Sequence, residues 1–186
     1  YRYDAISVAA LIFLVTISSI PSLKLNIINI DQAFDGFANP AVMTVALVLI
    51  ISQGLKNAGL SALAGKVLAG RKYTEIQFLL FLMIIAAALS SFINNIGAMA
   101  MLLPVTLGIC QKMGWSPSKF LMPLAFASIL GGMNTKIGTP PNIIISEFRD
   151  QYSDQGFEFF DFAYAGLPVS IGGVIFIAYL VSFLLK

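Results

Sequence analysis

Glycine, proline and polar residues interrupt an apolar stretch between Gly131 and Asn142, where the sequence is Gly-Gly-Met-Asn-Thr-Lys-Ile-Gly-Thr-Pro-Pro-Asn. Glycine tolerates left-handed backbone and proline has no amide hydrogen, so a regular helix is not expected to continue through this segment. Within hydrocarbon, the freed carbonyl and N–H groups persist only where the backbone lines a cavity. Because half-helix ends and free carbonyls attract ions, the segment predicts a substrate or ion site of the kind found in secondary transporters.

A second polar cluster contains Ser90, Asn94 and Asn95. Ser90 and Asn94 are spaced i, i+4 and therefore share one face of a helix. Hydroxyl, amide and freed backbone oxygens can replace the water around Na⁺ without adding a full charge. We therefore predict a cation site formed by Ser90, Asn94, Asn95 and Gly138. Interhelical hydrogen bonding by small polar residues is the alternative, and it is the interpretation we favour for Ser91.

The break and the neighbouring cluster also supply candidate substrate ligands, namely Asn94, Asn95, Lys136, Thr139 and Asn142. A simple kink in a spanning helix is the alternative for the break as a whole. Lys136 is the unusual member, because an ionisable side chain within the membrane indicates function by default. It can attract an anion, replace a bound cation, or titrate after desolvation, and snorkelling to an aqueous vestibule is the alternative for this side chain.

The composition indicates an all-α integral membrane protein that crosses the lipid bilayer several times. Of 186 residues, 58% are hydrophobic and 11% are charged. The sequence contains no histidine and a single cysteine, Cys110. It therefore offers no histidine-based catalysis, no activated nucleophile pair and no thiolate metal site. We expect no enzyme, no organic cofactor and no nucleic-acid partner.

The apolar segments predict helical spans or arms. They lie at residues 5–20, 40–55, 78–93, 97–110, 120–130, 142–148 and 163–185. The arm at 97–110 covers about 21 Å, less than the hydrocarbon core of about 30 Å. We therefore predict a re-entrant hairpin with Asn94 and Asn95 at its tip, near the membrane midplane, in preference to two short spans. This hairpin and the broken helix at 120–148 are the elements that must hold both polar clusters.

The charges in the loops predict the orientation of these elements, because cytoplasmic loops carry an excess of Lys and Arg. The basic connector at residues 56–75 and the loop at 112–119 are expected to face the cytoplasm. The acidic segments at 24–35 and 147–161 are expected to face outward. A hairpin that opens to the cytoplasm satisfies this arrangement, and so do two short spans.

Three passages of the sequence are similar to the first half of the divalent anion:sodium symporter family, which includes dicarboxylate, citrate and sulfate carriers. Residues 31–42 resemble the segment before a family helix, residues 90–105 resemble the re-entrant hairpin, and residues 131–146 resemble the unwound helix. The resemblance implies a Na⁺-coupled symporter whose substrate is a small inorganic or organic anion, such as a dicarboxylate or sulfate.

In that family, the hairpin tip usually has the triplet Ser-Asn-Thr, preceded four residues earlier by a serine. Here Asn94 replaces the first serine of the triplet, Asn95 matches the asparagine, Ile96 replaces the threonine, and Ser90 matches the preceding serine. The resemblance therefore implies Na⁺ ligands at Ser90 and Asn95, whereas two hydroxyls expected to contact a carboxylate are replaced. The family pattern also has an apolar residue where this sequence has Lys136.

We therefore expect one inverted repeat of an elevator-type transporter. Residues 1–75 are predicted to be scaffold-type helices with a basic connector, residues 76–149 the transport-type hairpin and broken helix, and residues 150–186 an acidic outer loop with a final span. The chain is expected to be a fragment that lacks the second repeat, to form a homodimer when complete, and to reside in a bacterial-type cell membrane. An ion channel or passive pore and a non-transporting membrane subunit are the alternative functions.

Overall fold

A computed structural model describes residues 3–18, 37, 40–60, 65–68, 73–153 and 156–184. Regular secondary structure in this part of the chain is helical. The predicted acidic segment at 24–35, residues 31–36, 38 and 39 of the family-like passage at 31–42, and Arg71 and Lys72 of the basic connector lie outside the described residues.

The described helices follow one another as α1 (Tyr3–Ser18), α2 (Pro40–Leu55), α3 (Glu75–Ser90), α4 (Asn95–Met113), α5 (Ser118–Gly132), α6 (Pro140–Tyr152) and α7 (Ala163–Leu184). The chain divides into two compact units, Tyr1–Met43 and Thr44–Lys186. The first contains α1, an apolar helix with Asp4 in its first turn, where a carboxylate is favoured by the helix dipole. The second contains the hairpin, the break and the last helix.

Helix α3 begins where a capping box satisfies its first amides. The Thr74 hydroxyl accepts a hydrogen bond from the Gln77 backbone N–H at 3.4 Å, and the Gln77 side chain accepts one from the Thr74 N–H at 3.2 Å. Glu75 adds an acidic residue to this first turn. The helix ends at Ser90, and a short turn leads directly into α4.

Helix α4 is longer than the sequence analysis predicted. Asn94 caps its beginning, and Gly114, with a φ of 71°, ends it in the left-handed conformation that glycine adopts at low cost. With 19 residues the helix is about 28 Å long, whereas the predicted arm at 97–110 covers about 21 Å. The predicted length of this arm was therefore wrong, because the helix also includes residues 95–96 and 111–113. The hairpin stays a prediction that rests on Asn94 and Asn95.

Helices α3, α5 and α7 pack against one another, and α4 packs on α3 and α5. Glycines allow two of these close approaches. A Cβ on Gly131 of α5 would lie 2.1 Å from the Ala87 carbonyl oxygen of α3, and a Cβ on Gly173 of α7 would lie 2.6 Å from Leu130 Cδ1. Gly172, the neighbour of Gly173 in α7, has no atom within 4 Å of such a Cβ.

One end of the bundle joins the starts of α3 and α5. Lys119 Nζ lies 3.1 Å from Glu75 Oε2, and the Trp115 and Phe120 rings pack on Phe78 with centroid distances of 5.7 and 5.2 Å. Aromatic and charged side chains are typical of a membrane interface. We call this the basic end, because the connector before α3 and the loop before α5 both reach it.

Two helices among the described residues have the length and hydropathy of a membrane span, Asn95–Met113 and Ala163–Phe183. The shorter apolar helices lie at Asp4–Ser18, Val42–Ile51, Glu75–Ser90 and Ser118–Gly132. Most of the predicted apolar segments therefore form helices, with boundaries shifted by a few residues.

Candidate functional site

The predicted helix break lies between Gly132, the last residue of α5, and Pro140, the first residue of α6. Pro140 and Pro141 occupy the first two positions of α6, where a helix has no acceptor for an amide hydrogen and proline is tolerated. The same two prolines remove two donors that a half-helix would otherwise present to an anion. An anion at this end must therefore be bound largely by side chains.

Asn142 satisfies the carbonyls that the break leaves without helical partners. Its Nδ2 donates to the Thr135 carbonyl at 2.9 Å and to the Gly132 carbonyl at 3.3 Å. The side chain is almost completely buried, with 9% exposed. Sequence analysis proposed Asn142 as a substrate ligand, and in this arrangement its two amide hydrogens are engaged by the break itself. Asn142 therefore holds the two ends of the break together.

The hairpin turn brings several oxygens together. The Ser90 hydroxyl is fully buried and lies 2.8 Å from Asn95 Oδ1 and 2.5 Å from the Ser128 carbonyl oxygen of α5. All three oxygens are uncharged, and they come from three different helices. Ser128 was not predicted, because a serine in an apolar helix usually signals packing, and its contribution here is a backbone carbonyl.

Two glycines of the break complete this cluster. A Cβ on Gly132 would lie 2.2 Å from Asn95 Oδ1 and 3.2 Å from the Gly138 carbonyl oxygen. A Cβ on Gly138 would lie 2.4 Å from the Gly132 carbonyl oxygen. Close approach to backbone therefore requires glycine at Gly138, whereas a Cβ at Gly132 would displace the Asn95 side chain. The structure thus brings Ser90, Asn95 and Gly138 of the predicted cation site together around Gly132, and we call these residues with Ser128 the oxygen cluster.

Asn94 and Thr139 each stand at the start of a helix. Asn94 Oδ1 accepts a hydrogen bond of 2.6 Å from the Gly97 N–H and so caps α4. Its oxygen is therefore occupied by the helix, and its amide hydrogens are the atoms suited to an anion. Thr139 has extended backbone before α6 and makes no side-chain capping hydrogen bond. Both side chains are half-buried.

Lys136 contacts the segment before α7. Its Nζ lies 3.2 Å from the Phe157 carbonyl oxygen, and its backbone N–H donates to the Phe159 carbonyl oxygen at 3.0 Å. The Phe159 ring in turn stacks on Phe92 of the hairpin turn, with centroids 6.5 Å apart. The segment at 156–162 therefore lies against both the break and the hairpin turn.

A chain of buried polar groups joins the hairpin, the break and α7. The Ser91 hydroxyl lies 2.9 Å from the Gly131 carbonyl oxygen and accepts from Asn134 Nδ2 at 3.3 Å. Ser170 Oγ of α7 lies 3.1 Å from Asn134 Oδ1, and Thr135 Oγ1 donates to the Ser91 carbonyl. These contacts agree with the interhelical role predicted for Ser91. Ser170 was missed, although a hydroxyl in an apolar helix is itself a signal of such bonding.

Helix α7 contacts the break near its beginning and the basic end near its end, so its length gives the distance between the two. A Cβ on Gly166 would lie 2.6 Å from the Met133 carbonyl oxygen, and Val181 lines a cavity with Lys119 at the basic end. The residues between Gly166 and Val181 rise by about 22 Å at 1.5 Å per residue.

The chain resembles known transporters over most of its length. The family model for citrate transporters (CitMHS) matches residues 3–186. "Uncharacterized transporter YfbS" of Escherichia coli strain K12 is 34% identical over 162 residues, which are 86% of this chain and 26% of that protein. "Probable sodium/sulfate cotransporter 3" of Chlamydomonas reinhardtii is 29% identical over 180 residues, and "Sodium/sulfate cotransporter 2" of the same organism is 28% identical over 180 residues.

Each of these two cotransporter matches covers 93% of this chain and 20% of the relative. The chain thus spans between a fifth and about a quarter of the length of these three relatives. The match to the family extends over α3, α4, α5 and the break, which are the elements that form the oxygen cluster. The chain therefore belongs to the citrate transporter family of membrane transporters, in agreement with the resemblance to the divalent anion:sodium symporters in its sequence.

Proposed function

We propose that this chain forms part of a secondary active transporter that moves a small anion together with Na⁺. The observation that carries the proposal is the oxygen cluster, in which Asn95 of the hairpin turn lies so close to the helix break that a Cβ on Gly132 would be 2.2 Å from Asn95 Oδ1. Two relatives named as sodium/sulfate cotransporters support the choice of cation and of an inorganic anion.

The proposed cation ligands are Ser90, Asn95 and the Gly138 carbonyl, with Asn94 at the same turn. Ser90 Oγ and Asn95 Oδ1 are 2.8 Å apart, a separation at which two oxygens can share one cation. When a cation binds, the Ser90 hydroxyl donates its hydrogen bond to the Ser128 carbonyl oxygen, which lies 2.5 Å away. Cation binding thus replaces the hydrogen bond between Ser90 and Asn95 with contacts from both oxygens to the cation. Because these ligands are uncharged, the binding stays reversible.

The proposed anion ligands are Asn94, Asn95, Lys136 and Thr139, with Asn142 acting through the carbonyls that it holds in place. The donors available here are amide, hydroxyl and ammonium groups, because Pro140 and Pro141 lack amide hydrogens. A cation bound beside them adds the positive charge that an anion requires. Coupling follows if each ion binds more tightly when the other is present.

We further propose that the hairpin and broken helix at 76–149 move as the transport element of an elevator mechanism, against scaffold helices within residues 1–75. Differential affinity of the ions for two positions of this element would drive the cycle. A homodimer in a bacterial-type cell membrane is part of the same proposal. Since the family is one of transporters, we assign no enzymatic activity.

The test replaces Asn95 by alanine in the full-length protein and measures uptake of sulfate and of a dicarboxylate over a series of Na⁺ concentrations. Asn95→Ala removes one proposed ligand and the partner of Ser90, so the half-saturating Na⁺ concentration is expected to rise at least tenfold. Asn57→Ala is the matched control, because Asn57 is an exposed asparagine that pairs with Gln53 on its own helix.

Equal Na⁺ activation in the wild type and in Asn95→Ala would refute the assignment of the site. Uptake that does not saturate with substrate and needs no co-ion would favour an ion channel or passive pore. Absence of any flux from the reconstituted protein, together with normal folding, would favour a non-transporting membrane subunit.

A further inference from the structure

We propose that Ser170 of α7 is a positioning residue for the cation site, and that it acts through the backbone of the helix break. The inference rests on the proposed function, in which the oxygen cluster binds Na⁺. It extends that function to α7, a helix that sequence analysis assigned to a separate segment at 150–186.

Ser170 contacts the break on both sides of a glycine pair. Its Oγ lies 2.7 Å from the Leu130 carbonyl oxygen and 3.1 Å from Asn134 Oδ1, and the side chain is only 4% exposed. Leu130 belongs to the last turn of α5, and its carbonyl oxygen also accepts a hydrogen bond of 3.3 Å from the Met133 N–H. Ser170 therefore adds a contact from α7 to residues on both sides of the glycine pair, Leu130 directly before it and Asn134 shortly after it.

The opposite face of the same glycine pair supports the hairpin. A Cβ on Gly131 would lie 2.1 Å from the Ala87 carbonyl oxygen, and one on Gly132 would lie 2.2 Å from Asn95 Oδ1. These are contacts of backbone against backbone and of backbone against a ligand amide. Because glycine has no side chain that could adjust, a shift of the Gly131–Gly132 backbone moves the surface against which Asn95 packs.

The single hydroxyl hydrogen of Ser170 has two acceptors within reach, the Leu130 carbonyl oxygen and Asn134 Oδ1, whereas Asn95 pairs with Ser90. Ser170 thus affects the cation site only indirectly, by holding the break in the position that Asn95 requires. Asn134 carries the connection further, because its Nδ2 donates to Ser91 at the end of the hairpin. The contacts from Ser170 through Asn134 to Ser91 therefore link α7, the break and the hairpin turn.

Ser182 provides a matched control on the same helix. Its Oγ donates to the Ala178 carbonyl at 2.7 Å, within α7 itself. Ser182→Ala therefore removes a serine hydroxyl from α7 without touching the break. A purely structural role of Ser170 would lower the amount of folded protein, whereas a positioning role changes the Na⁺ dependence of the protein that folds.

The first measurement is Na⁺ activation of uptake by the full-length protein at saturating anion. Ser170→Ala is expected to raise the half-saturating Na⁺ concentration about tenfold, a change of the size expected for losing one buried hydrogen bond. Ser170→Thr, which keeps the hydroxyl, and Ser182→Ala are expected to match the wild type. Should Ser170→Ala fail to fold, Ser170→Cys retains the shape with a weaker donor, and an increase of a few fold is expected.

The second measurement is independent of transport. A cysteine replaces Met133, which is 39% exposed at the end of α5, in a Cys110→Ala background. Ser170→Ala is expected to increase its rate of reaction with a soluble maleimide about fivefold, because the break is released to open locally. Ser182→Ala is expected to leave the rate unchanged.

The two measurements separate the inference from the function on which it rests. If Na⁺ does not activate uptake by the wild type, the proposed function fails, and the maleimide rates alone decide whether Ser170 holds the break. An unchanged rate in Ser170→Ala would overturn the positioning role. An unchanged Na⁺ half-saturation in a variant whose maleimide rate rises would overturn the link from the break to the cation site.

Discussion

Replacement of Gly132 by alanine tests the oxygen cluster most directly, because the structure specifies where the new methyl group would lie. The added Cβ would be 2.2 Å from Asn95 Oδ1. It would also be 3.2 Å from the Gly138 carbonyl oxygen, so the methyl group cannot move away from Asn95 toward Gly138. Relief of the clash requires a displacement of the amide by about 1 Å, since non-bonded heavy atoms need roughly 3 Å or more. A displacement of that size disrupts the hydrogen bond of 2.8 Å between Ser90 and Asn95.

The energetic cost of Gly132→Ala follows from these contacts. Overpacking a closely packed site costs about 1 to 3 kcal/mol. In the free protein the Asn95 amide can move to relieve this, because the Ser90 hydroxyl has the Ser128 carbonyl oxygen as a second acceptor. A bound cation replaces the hydrogen bond between Ser90 and Asn95 and needs Asn95 Oδ1 in its original place, so the overpacking cost of about 1 to 3 kcal/mol falls on the bound state. The Na⁺ affinity is therefore expected to fall about 5- to 150-fold.

The assay is a Na⁺ titration of anion uptake, together with the Na⁺-induced increase in the melting temperature of the purified protein. Gly172→Ala is the matched control, since a Cβ at that position of α7 has no neighbour within 4 Å. It is expected to bind Na⁺ as the wild type does. If Gly132→Ala and Gly172→Ala show the same Na⁺ dependence as the wild type, the close approach of Asn95 to the break has no bearing on cation binding and the reasoning is refuted.

Two further predictions concern charge and orientation. If the Lys136 ammonium attracts the anion, Lys136→Ala is expected to raise the substrate KM several-fold and to leave the Na⁺ dependence unchanged. If the ammonium replaces a bound cation, Lys136→Ala is expected to create a new cation requirement. Lys136→Arg keeps the charge and so separates electrostatics from geometry. If Lys136→Ala takes up the anion as the wild type does at all ion concentrations, both proposed roles of Lys136 are refuted. For topology, cysteines replacing Lys66, Ser116 and Tyr152 are tested on intact cells with an impermeant thiol reagent, in a Cys110→Ala background, and only the cysteine at 152 is expected to react. Reaction at 66 or 116 but not at 152 would invert the predicted orientation.

Local signals in the sequence account for the parts of the fold that were predicted well. Pro40 marks the start of α2, and the observed helix ends at Leu55 as expected. The pair Pro140 and Pro141 marks the start of α6, because these residues interrupt one helix and can begin another. The end of α4 was predicted poorly, since polar residues after Cys110 resemble a loop although the left-handed residue Gly114 is what ends the helix.

The sequence by itself determined the class of the protein, the helix break and the residues at the hairpin turn, because composition, proline and glycine act through local backbone chemistry and hydropathy. Only the tertiary structure decided which oxygens converge. Ser90, Asn95 and the Ser128 carbonyl meet because α5 crosses α3 at Gly131, and that crossing is a long-range packing contact which the local sequence does not encode. For the same reason, the partner of Lys136 at Phe157 and the role of Ser170 emerged only from the packed helices.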